Sequence, residues 1–455
     1  MNLVKRLTLF SGDLCILILA LWLSVFIRYQ ILNDIFYNYR EHLYVFIPVF
    51  VLWLIVYYIN QLYDYFQFSN IQFLTYATLR SSIINFIISI IFFYSFPAFN
   101  ITPKTILIIL LLVTGFSLFV WRIIFNKIFI SRPLLKKIII IGNQKFESNL
   151  SRLINSNPSF GYQLNGMIVT NQSIRNNQLK TIGHLGDIKK ILARRQIDVI
   201  VLDINKLSNH HDELAIITDY CLTNHAQLID ISYLYEHLTG KIPLEHISQI
   251  IFANINHSPH KINIYFKRLI DIVAGLIGLI IFVILFPLLY ILVKIDSRGP
   301  FFYSQSRMGI NNQVFNLYKI RTMTVNAETK KAKWATTHDN RVTNIGRFLR
   351  KSCLDELPQF WNILIGDMSL VGPRPERPEF TGKLEQRQKL YYKRHLIKPG
   401  LTGWAQINMN YSASFSDADE KLQYDLYYLK NRSLFLDFII ILRTVRMFFV
   451  NRGGV

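Results

Sequence analysis

Five long apolar runs constrain this 455-residue chain more than any other feature. Four of them, at residues 7–27, 43–62, 83–99 and 105–125, are each close to the roughly 20 residues a helix needs to cross a bilayer. Hydrocarbon offers no partner for backbone N–H and C=O groups, so such runs must be helical. The third is the weakest, with Asn85 inside it. A cleaved signal peptide is not expected, because the first run is long and further spans follow it. Asp13 lies inside the first run, where a carboxylate is costly in lipid, and is expected to pack against other spans. Lys5 and Arg6 precede the first run, and Arg80 is read as lying between the second and third. Arg122, Lys127, Arg132, Lys136 and Lys137 follow the fourth. The other connections carry mainly Arg28, Arg40 and Lys104. This asymmetry predicts that the N-terminus and the segment after residue 125 face the cytoplasm.

The fifth run, 269–295, differs. Lys267 and Arg268 stand on one side of it, Lys294 and Arg298 on the other; Asp271 lies near its start and Pro287 inside it. With both flanks basic, neither is marked as outside. Proline removes one helical hydrogen bond and favours a bend. The pattern predicts a re-entrant helix that enters one leaflet, bends at Pro287 and returns to the same side. Near the end, residues 434–450 alternate apolar patches with Arg443 and Arg446, as expected of a helix lying on a membrane surface or packed against a core.

The formal net charge is +21. Much of that excess lies beside the apolar runs, so an anionic membrane face and anionic substrates explain it better than nucleic acid. Cys15, Cys221 and Cys353 are scattered and form no CxxC pair, which argues against a disulfide framework or a zinc site.

Between residues 136 and 258 the composition is that of an α/β domain. Strands are predicted at 137–141, 166–170, 199–204 and 227–231, with helices at 148–154, 188–195 and 213–223. Alternation of this kind implies a parallel, Rossmann-like sheet. Gly142 lacks the second and third glycines of a dinucleotide fingerprint in Gly142-Asn143-Gln144-Lys145-Phe146-Glu147. A structural or regulatory role is therefore expected rather than a cofactor site. The domain division is 1–130, 136–258 and 261–455.

The chemistry concentrates after residue 297. Asp355 and Glu356 are adjacent carboxylates in Ser352-Cys353-Leu354-Asp355-Glu356-Leu357-Pro358-Gln359. Ser352 with Asp355 has capping-box-like spacing, and Pro358 is tolerated only in a first turn, so both acids are placed at a helix N-terminus. That position favours anions and would keep Asp355 ionised. Phe360, Trp361, Leu364 and Ile365 are expected to anchor the helix. Lys319 and Arg321 lie two apart, on one face of a predicted strand; Arg341, Arg347, Arg350 and Lys351 add further cations. Pro373-Arg374-Pro375 and Lys398-Pro399-Gly400-Leu401-Thr402-Gly403-Trp404 are stiff loops that hold a cation at low entropic cost. Acids among fixed cations suit phosphate chemistry with a divalent metal. An acidic helix start that merely complements the dipole is the simpler alternative. His395 is read as structural or substrate-contacting, and Cys353 as packing.

These motifs resemble the bacterial sugar transferase family, the monotopic polyprenyl-phosphate phosphoglycosyl transferases. The likeness runs from about residue 261 to 454 and includes Lys319–Met323, Arg347–Trp361, Gly366–Pro375 and Lys398–Gln406. The preceding residues are similar to the family's large form, with a four-helix transmembrane bundle and a Rossmann-like domain. The resemblance implies a membrane α/β protein that ends in a re-entrant membrane helix with an α/β catalytic domain. It implies transfer of a hexose-1-phosphate from a UDP-hexose to undecaprenyl phosphate, initiating exopolysaccharide, capsule or O-antigen assembly. Asp355 would be the nucleophile that carries an aspartyl-phosphosugar, and Glu356 the acid that holds Mg2+. Lys319, Arg321, Arg350 and Arg374 would hold phosphates or uridine. Glucose and galactose are the first sugars it suggests, with N-acetylated sugars as alternatives. Expected partners are membrane lipid and the two substrates, with a homodimer compatible and no nucleic acid. The expected location is the bacterial inner membrane, with the middle and catalytic domains on the cytoplasmic side. The rival readings are a non-enzymatic membrane regulator with a vestigial dyad and a basic nucleic-acid-binding membrane protein.

Overall fold

A computed structural model describes residues 2–29, 35–63, 71–95, 104–129, 135–142, 145–157, 160–170, 181–204, 207, 210–246, 261–324, 341–409 and 415–449. Residues 96–99 of the third predicted span, Arg132, Asn143, Gln144 and residues 247–258 lie outside that set. The chain forms two compact units, Met1–Leu234 and Tyr235–Val455. Among the described residues, five helices are long and apolar enough to cross a membrane.

Four of those helices belong to the first unit: α1 (Asn2–Arg28), α2 (Ile35–Ile59), α3 (Ile71–Ser95) and α4 (Lys104–Phe129). α1 packs on α4 and α2, and α3 packs on α2 and α4. Their shared core includes Leu17, Phe46, Trp53, Leu74, Leu110 and Phe125. α3 begins twelve residues before the predicted span, because hydropathy misses its polar stripe. Thr78, Ser81, Asn85 and Ser89 are all buried inward. Asn60 Nδ2 donates to Ser81 Oγ (3.0 Å) and Trp53 Nε1 donates to Ser89 Oγ (3.0 Å). Arg80 therefore lies within α3 rather than between spans. Arg122 corrects the sequence reading in the same way. It is not a flanking cation but a fully buried residue inside α4. Its guanidinium donates to both Asp13 carboxylate oxygens at 2.7 Å and to Leu62 O at 2.9 Å. Asp13 packs against another span, as expected. Removing either partner alone would strand a buried charge, at a cost of about 3–5 kcal/mol.

The rest of this unit is a parallel five-stranded sheet. It comprises β1 (Lys136–Ile141), β2 (Tyr162–Val169), β3 (Thr181–His184), β4 (Val199–Leu202) and β5 (Gln227–Asp230), in the order β3-β2-β1-β4-β5. α5 (Lys145–Ser156), α6 (Ile188–Ala193) and α7 (His211–Asn224) connect them. Strand β1 is buried from Ile138 to Ile141, and β4 throughout, as both-face coverage of a parallel sheet requires. β2 starts four residues before its prediction, with an irregularity in its pairing to β1 just before Gly166. β3 has four residues, too few for a periodic signal. Gly142 takes φ +151°, and a Cβ there would lie 2.6 Å from Glu147 Cγ, so the Glu147 side chain packs directly against Gly142.

The second unit includes the end of α8 (Ile231–Thr239). Ile242 joins a core with Leu422, Leu426 and Ile440, and Trp404 Nε1 donates to Gly240 O (2.9 Å). The unit is built around α9 (Lys261–Asp296), which stays helical through Pro287, so the break expected at that proline is not seen; the ring removes one hydrogen bond without ending the helix. One face of α9 touches the same folded unit along its length. Lys267 donates to Asp437 (2.7 Å), Arg268 to Ile363 O (2.7 Å) and Leu364 O (2.6 Å). Further along, Phe286 meets Phe301 and Phe302, and Asp296 accepts from Ile345 N (2.9 Å). The other face exposes Ile277, Ile281, Ile284, Leu288 and Ile291.

Candidate active site

The site is assembled by short elements behind α9. β6 (Phe302–Met308) and β7 (Val314–Ile320) form an antiparallel hairpin, and β8 (Ser369–Val371) pairs in parallel with β9 (Gly400–Thr402). Between them come α10 (Asn344–Lys351), α11 (Gln359–Ile365) and, after β8, α12 (Pro378–Arg387). Thr343 caps α10, its Oγ1 accepting from Gly346 N (3.0 Å). α10 then stops because Cys353 adopts a left-handed conformation (φ 53°). A short 3-10 turn, Leu354–Glu356, follows and leads into α11.

This differs from the expected helix start. Ser352 ends α10: its Oγ donates back to Phe348 O (2.8 Å). Pro358 precedes α11 rather than lying within it. The dyad thus sits in the turn between two helices. The apolar face of α11 is also divided. Phe360 and Leu364 press on Gly278 and Gly275 of α9, whereas Trp361 and Ile365 are exposed.

Asp355 is only 7% exposed. Glu356 accepts at Oε1 from both Lys319 Nζ (3.0 Å) and Arg374 Nη2 (2.6 Å). Lys319 comes from β7, and Asn362 of α11 fixes that strand. Asn362 is fully buried; its Oδ1 accepts from Tyr318 N (3.2 Å) and its Nδ2 donates to Asn316 O (2.8 Å). Arg374 comes from the loop after β8. Arg350 of α10 donates from Nε to Thr322 Oγ1 (2.9 Å). Three of the four predicted basic residues therefore surround the dyad electrostatically, and two touch it.

Arg321 is placed elsewhere. Its guanidinium donates to Ser297 O (2.7 Å), Arg298 O (3.0 Å) and Ser297 Oγ (3.0 Å) just past the end of α9. It lies against carbonyls just past the negative end of that helix's dipole. The expectation of a shared strand face fails because β7 ends at Ile320.

The two acids differ electrostatically. Burial, opposed by Lys319, raises the Asp355 pKa to about 6, with Glu356 pushing the same way. Burial also pushes Glu356 upward, but Arg374 and Lys319 prevail and hold it well below the usual carboxylate range. At pH 7 Glu356 is a fixed anion, and Asp355 is a carboxylate held in an environment that disfavours its charge. Cys353 is pushed up to about 11 by burial and by both carboxylates, so its thiol is no nucleophile at neutral pH. His395 is buried, and burial with the nearby Arg394 lowers it to about 3, leaving a neutral ring. In the second stiff loop Trp404 stacks on Tyr427 and faces Gly240, not the dyad.

Sequence reasoning missed Asn362, Arg394 and Asp425. Asp425 left a signal: it interrupts an apolar stripe formed by Leu422, Leu426 and Leu429 at helical spacing.

The bacterial sugar transferase family model matches residues 262–451. The chain is 38% identical over 234 residues to the UDP-N-acetylgalactosamine-undecaprenyl-phosphate N-acetylgalactosaminephosphotransferase of Aeromonas hydrophila. That match spans 51% of this chain and 55% of the relative. It is 28% identical over 480 residues to a UDP-glucose:undecaprenyl-phosphate glucose-1-phosphate transferase of Klebsiella pneumoniae, spanning 100% of this chain and 97% of that protein. It is also 40% identical over 189 residues to the uncharacterized sugar transferase EpsL of Bacillus subtilis, spanning 41% of this chain and 89% of that protein. With a buried acidic dyad set among cations inside the matched residues 262–451, and 40% identity over 89% of the Bacillus subtilis sugar transferase, the chain belongs to the bacterial sugar transferase family.

Proposed function

We propose that this protein transfers a hexose-1-phosphate from a UDP-sugar to undecaprenyl phosphate through a covalent intermediate on Asp355. The observation that carries the reading is the contrast within the dyad: a buried, weakly hydrated Asp355 beside a Glu356 clamped by Lys319 and Arg374. Asp355 Oδ attacks the phosphorus that bears the sugar. The bond to the UMP oxygen breaks, UMP leaves as an anion, and the phosphosugar stays on the carboxylate. A phosphate oxygen of undecaprenyl phosphate then attacks the same phosphorus and releases Asp355. Both nucleophiles are already anions, so neither step needs a general base. Lys319, Arg350 and Arg374 offset the repulsion between anionic nucleophile and anionic diphosphate.

The residues fit Mg2+ in its usual manner. Among the described residues no cluster of three metal-ligating side chains forms a closed cage. Magnesium bound through one or two carboxylates and the substrate's phosphates needs none. Both protein cations engage Glu356 at Oε1, and the carboxylate's second oxygen is a hard donor suited to this ion. Bound there, Mg2+ would neutralise charge on the diphosphate.

The finer architecture follows from the same reading. The packing of α1–α4 supports a four-helix transmembrane bundle, and the β3-β2-β1-β4-β5 order supports a Rossmann-like domain. Contacts of α9 with one folded unit near both of its ends support re-entrance from the cytoplasmic face of the inner membrane. The names of the relatives favour glucose or an N-acetylated hexosamine as the sugar, and initiation of a surface polysaccharide as the role. The test is UMP release by the full-length protein, screened across UDP-glucose, UDP-galactose and UDP-N-acetylgalactosamine with undecaprenyl phosphate and magnesium. Turnover of at least one sugar is expected, abolished by Asp355→Asn; no release from any of them would reject the reading.

A further inference from the structure

Pro373 and Pro375 carry no backbone N–H, so the loop holding Arg374 has few donors with which to brace itself. Its carbonyls are instead taken one after another from outside. Pro373 O accepts from Gly400 N (2.9 Å) and Arg374 O from Arg394 Nη2 (2.8 Å). Pro375 O accepts from Arg307 Nη1 (3.0 Å) and Glu376 O from Met308 N (2.8 Å). Four successive carbonyls are thus tied to three different parts of the unit.

Arg394 is the deepest of these ties, at 2% exposure. Besides Arg374 O, it donates from Nη1 to Tyr391 OH (2.5 Å) and pairs through Nη2 with the buried Asp425 (2.8 Å). Glu376 lies 3.9 Å away and is itself paired with Lys421. The planar fork of arginine serves a hydroxyl, a carboxylate and a carbonyl together; a lysine ammonium on a flexible stem cannot hold that geometry. At that depth the guanidinium is taken up by these internal partners. What it fixes is the backbone of the residue whose own guanidinium reaches Glu356.

We infer that Arg394 is a positioning residue of the transfer reaction, anchoring the Arg374 carbonyl so that the Arg374 guanidinium points at Glu356 and the substrate phosphates. The inference rests on the transferase reading above. A merely structural Arg394 would lower the amount of folded enzyme regardless of what residue 374 is. A positioning Arg394 acts through residue 374.

A double-mutant cycle separates the two. Arg394→Lys and the milder Tyr391→Phe are each made in the full-length protein and in an Arg374→Lys background. UMP release from the best UDP-sugar is measured per mole of monodisperse protein. Arg394→Lys is expected to lower kcat about 10–100-fold with KM within about 3-fold, because small misplacements of a charged group cost rates of that order. In the Arg374→Lys background the same change should cost less than about 3-fold. Tyr391→Phe should show a smaller loss that likewise vanishes in that background, and it carries the cycle if Arg394→Lys does not fold. Equal factors in both backgrounds, or a change confined to KM, would overturn the inference. A wild-type protein that releases no UMP would instead overturn the transferase reading, and with it the reaction Arg394 is inferred to serve.

Discussion

Asp355 is ionised at neutral pH against the pull of its burial, and this has consequences for both rate and stability. Its folded pKa of about 6 lies above the ordinary carboxylate value. The native state therefore binds a proton more readily than the unfolded chain. Holding Asp355 ionised costs native stability at pH 7, and the cost disappears as pH falls from 6 toward 4. Asp355→Asn should abolish UMP release yet raise unfolding stability at pH 7 by about 1–3 kcal/mol, with the gain shrinking toward pH 4. Thermal unfolding across pH checks this; a less stable mutant at pH 7 would contradict it. If Asp355 is the nucleophile, as proposed, UMP release by the wild type falls as pH drops below about 6, where its carboxylate protonates. Glu356→Gln removes a hard anionic donor and should raise the magnesium needed for half-maximal rate at least about 10-fold; an unchanged titration counts against its ligand role. That Lys319 and Arg374 would stand near the dyad was legible from a cation-bearing strand segment, a stiff Pro-Arg-Pro loop and the family resemblance of their motifs. Arg321 was misread because two-residue alternation holds only while a strand continues, and β7 stops one residue earlier. Arg122 was misread because a cation near a span end looks like a flank, whereas its partner Asp13 lies 109 positions away.

At the scale of elements, the dyad depends on how closely α11 approaches α9. Gly275 and Gly278 make room: a Cβ at Gly278 would lie 2.3 Å from the Phe360 ring, and one at Gly275 2.8 Å from Leu364. Gly278→Ala should therefore displace α11, lowering stability by about 1–3 kcal/mol and UMP release by about 10-fold. Adding Phe360→Leu should restore part of both. Thermal unfolding and initial rates on the single and double variants test this, and a fully active Gly278→Ala protein would contradict it. Hydropathy predicted the existence of α9 and of the four helices before it. It did not predict where α3 begins, since Thr75, Thr78, Arg80, Ser81 and Ser82 lower the hydropathy of its first turns. Nor did it separate the buried from the exposed side of α11, because partner elements decide that and the local pattern does not.

For the molecule as a whole, the contacts of α9 make a claim about sidedness. Lys267 is tied to Asp437, while Arg321 binds Ser297 and Arg298 just past the other end, all within one folded unit. Single cysteines at Tyr265 and Arg298, both exposed, should react with a membrane-impermeant thiol reagent from the same face. The three native cysteines would be replaced by serine in that background. Labelling from opposite faces would make α9 an ordinary crossing. The middle sheet was legible because β1 and β4 are short apolar runs bounded by polar residues, but its role was not, since Gly142 lacks the further glycines that would mark a ligand. The most direct test of the central claim is to mix the protein with its UDP-sugar in the absence of undecaprenyl phosphate, quench, and map modified peptides by mass spectrometry. The account predicts a phosphosugar on Asp355 that disappears when undecaprenyl phosphate is added before the quench. UMP release with no adduct on Asp355, or an adduct on another residue, would contradict it.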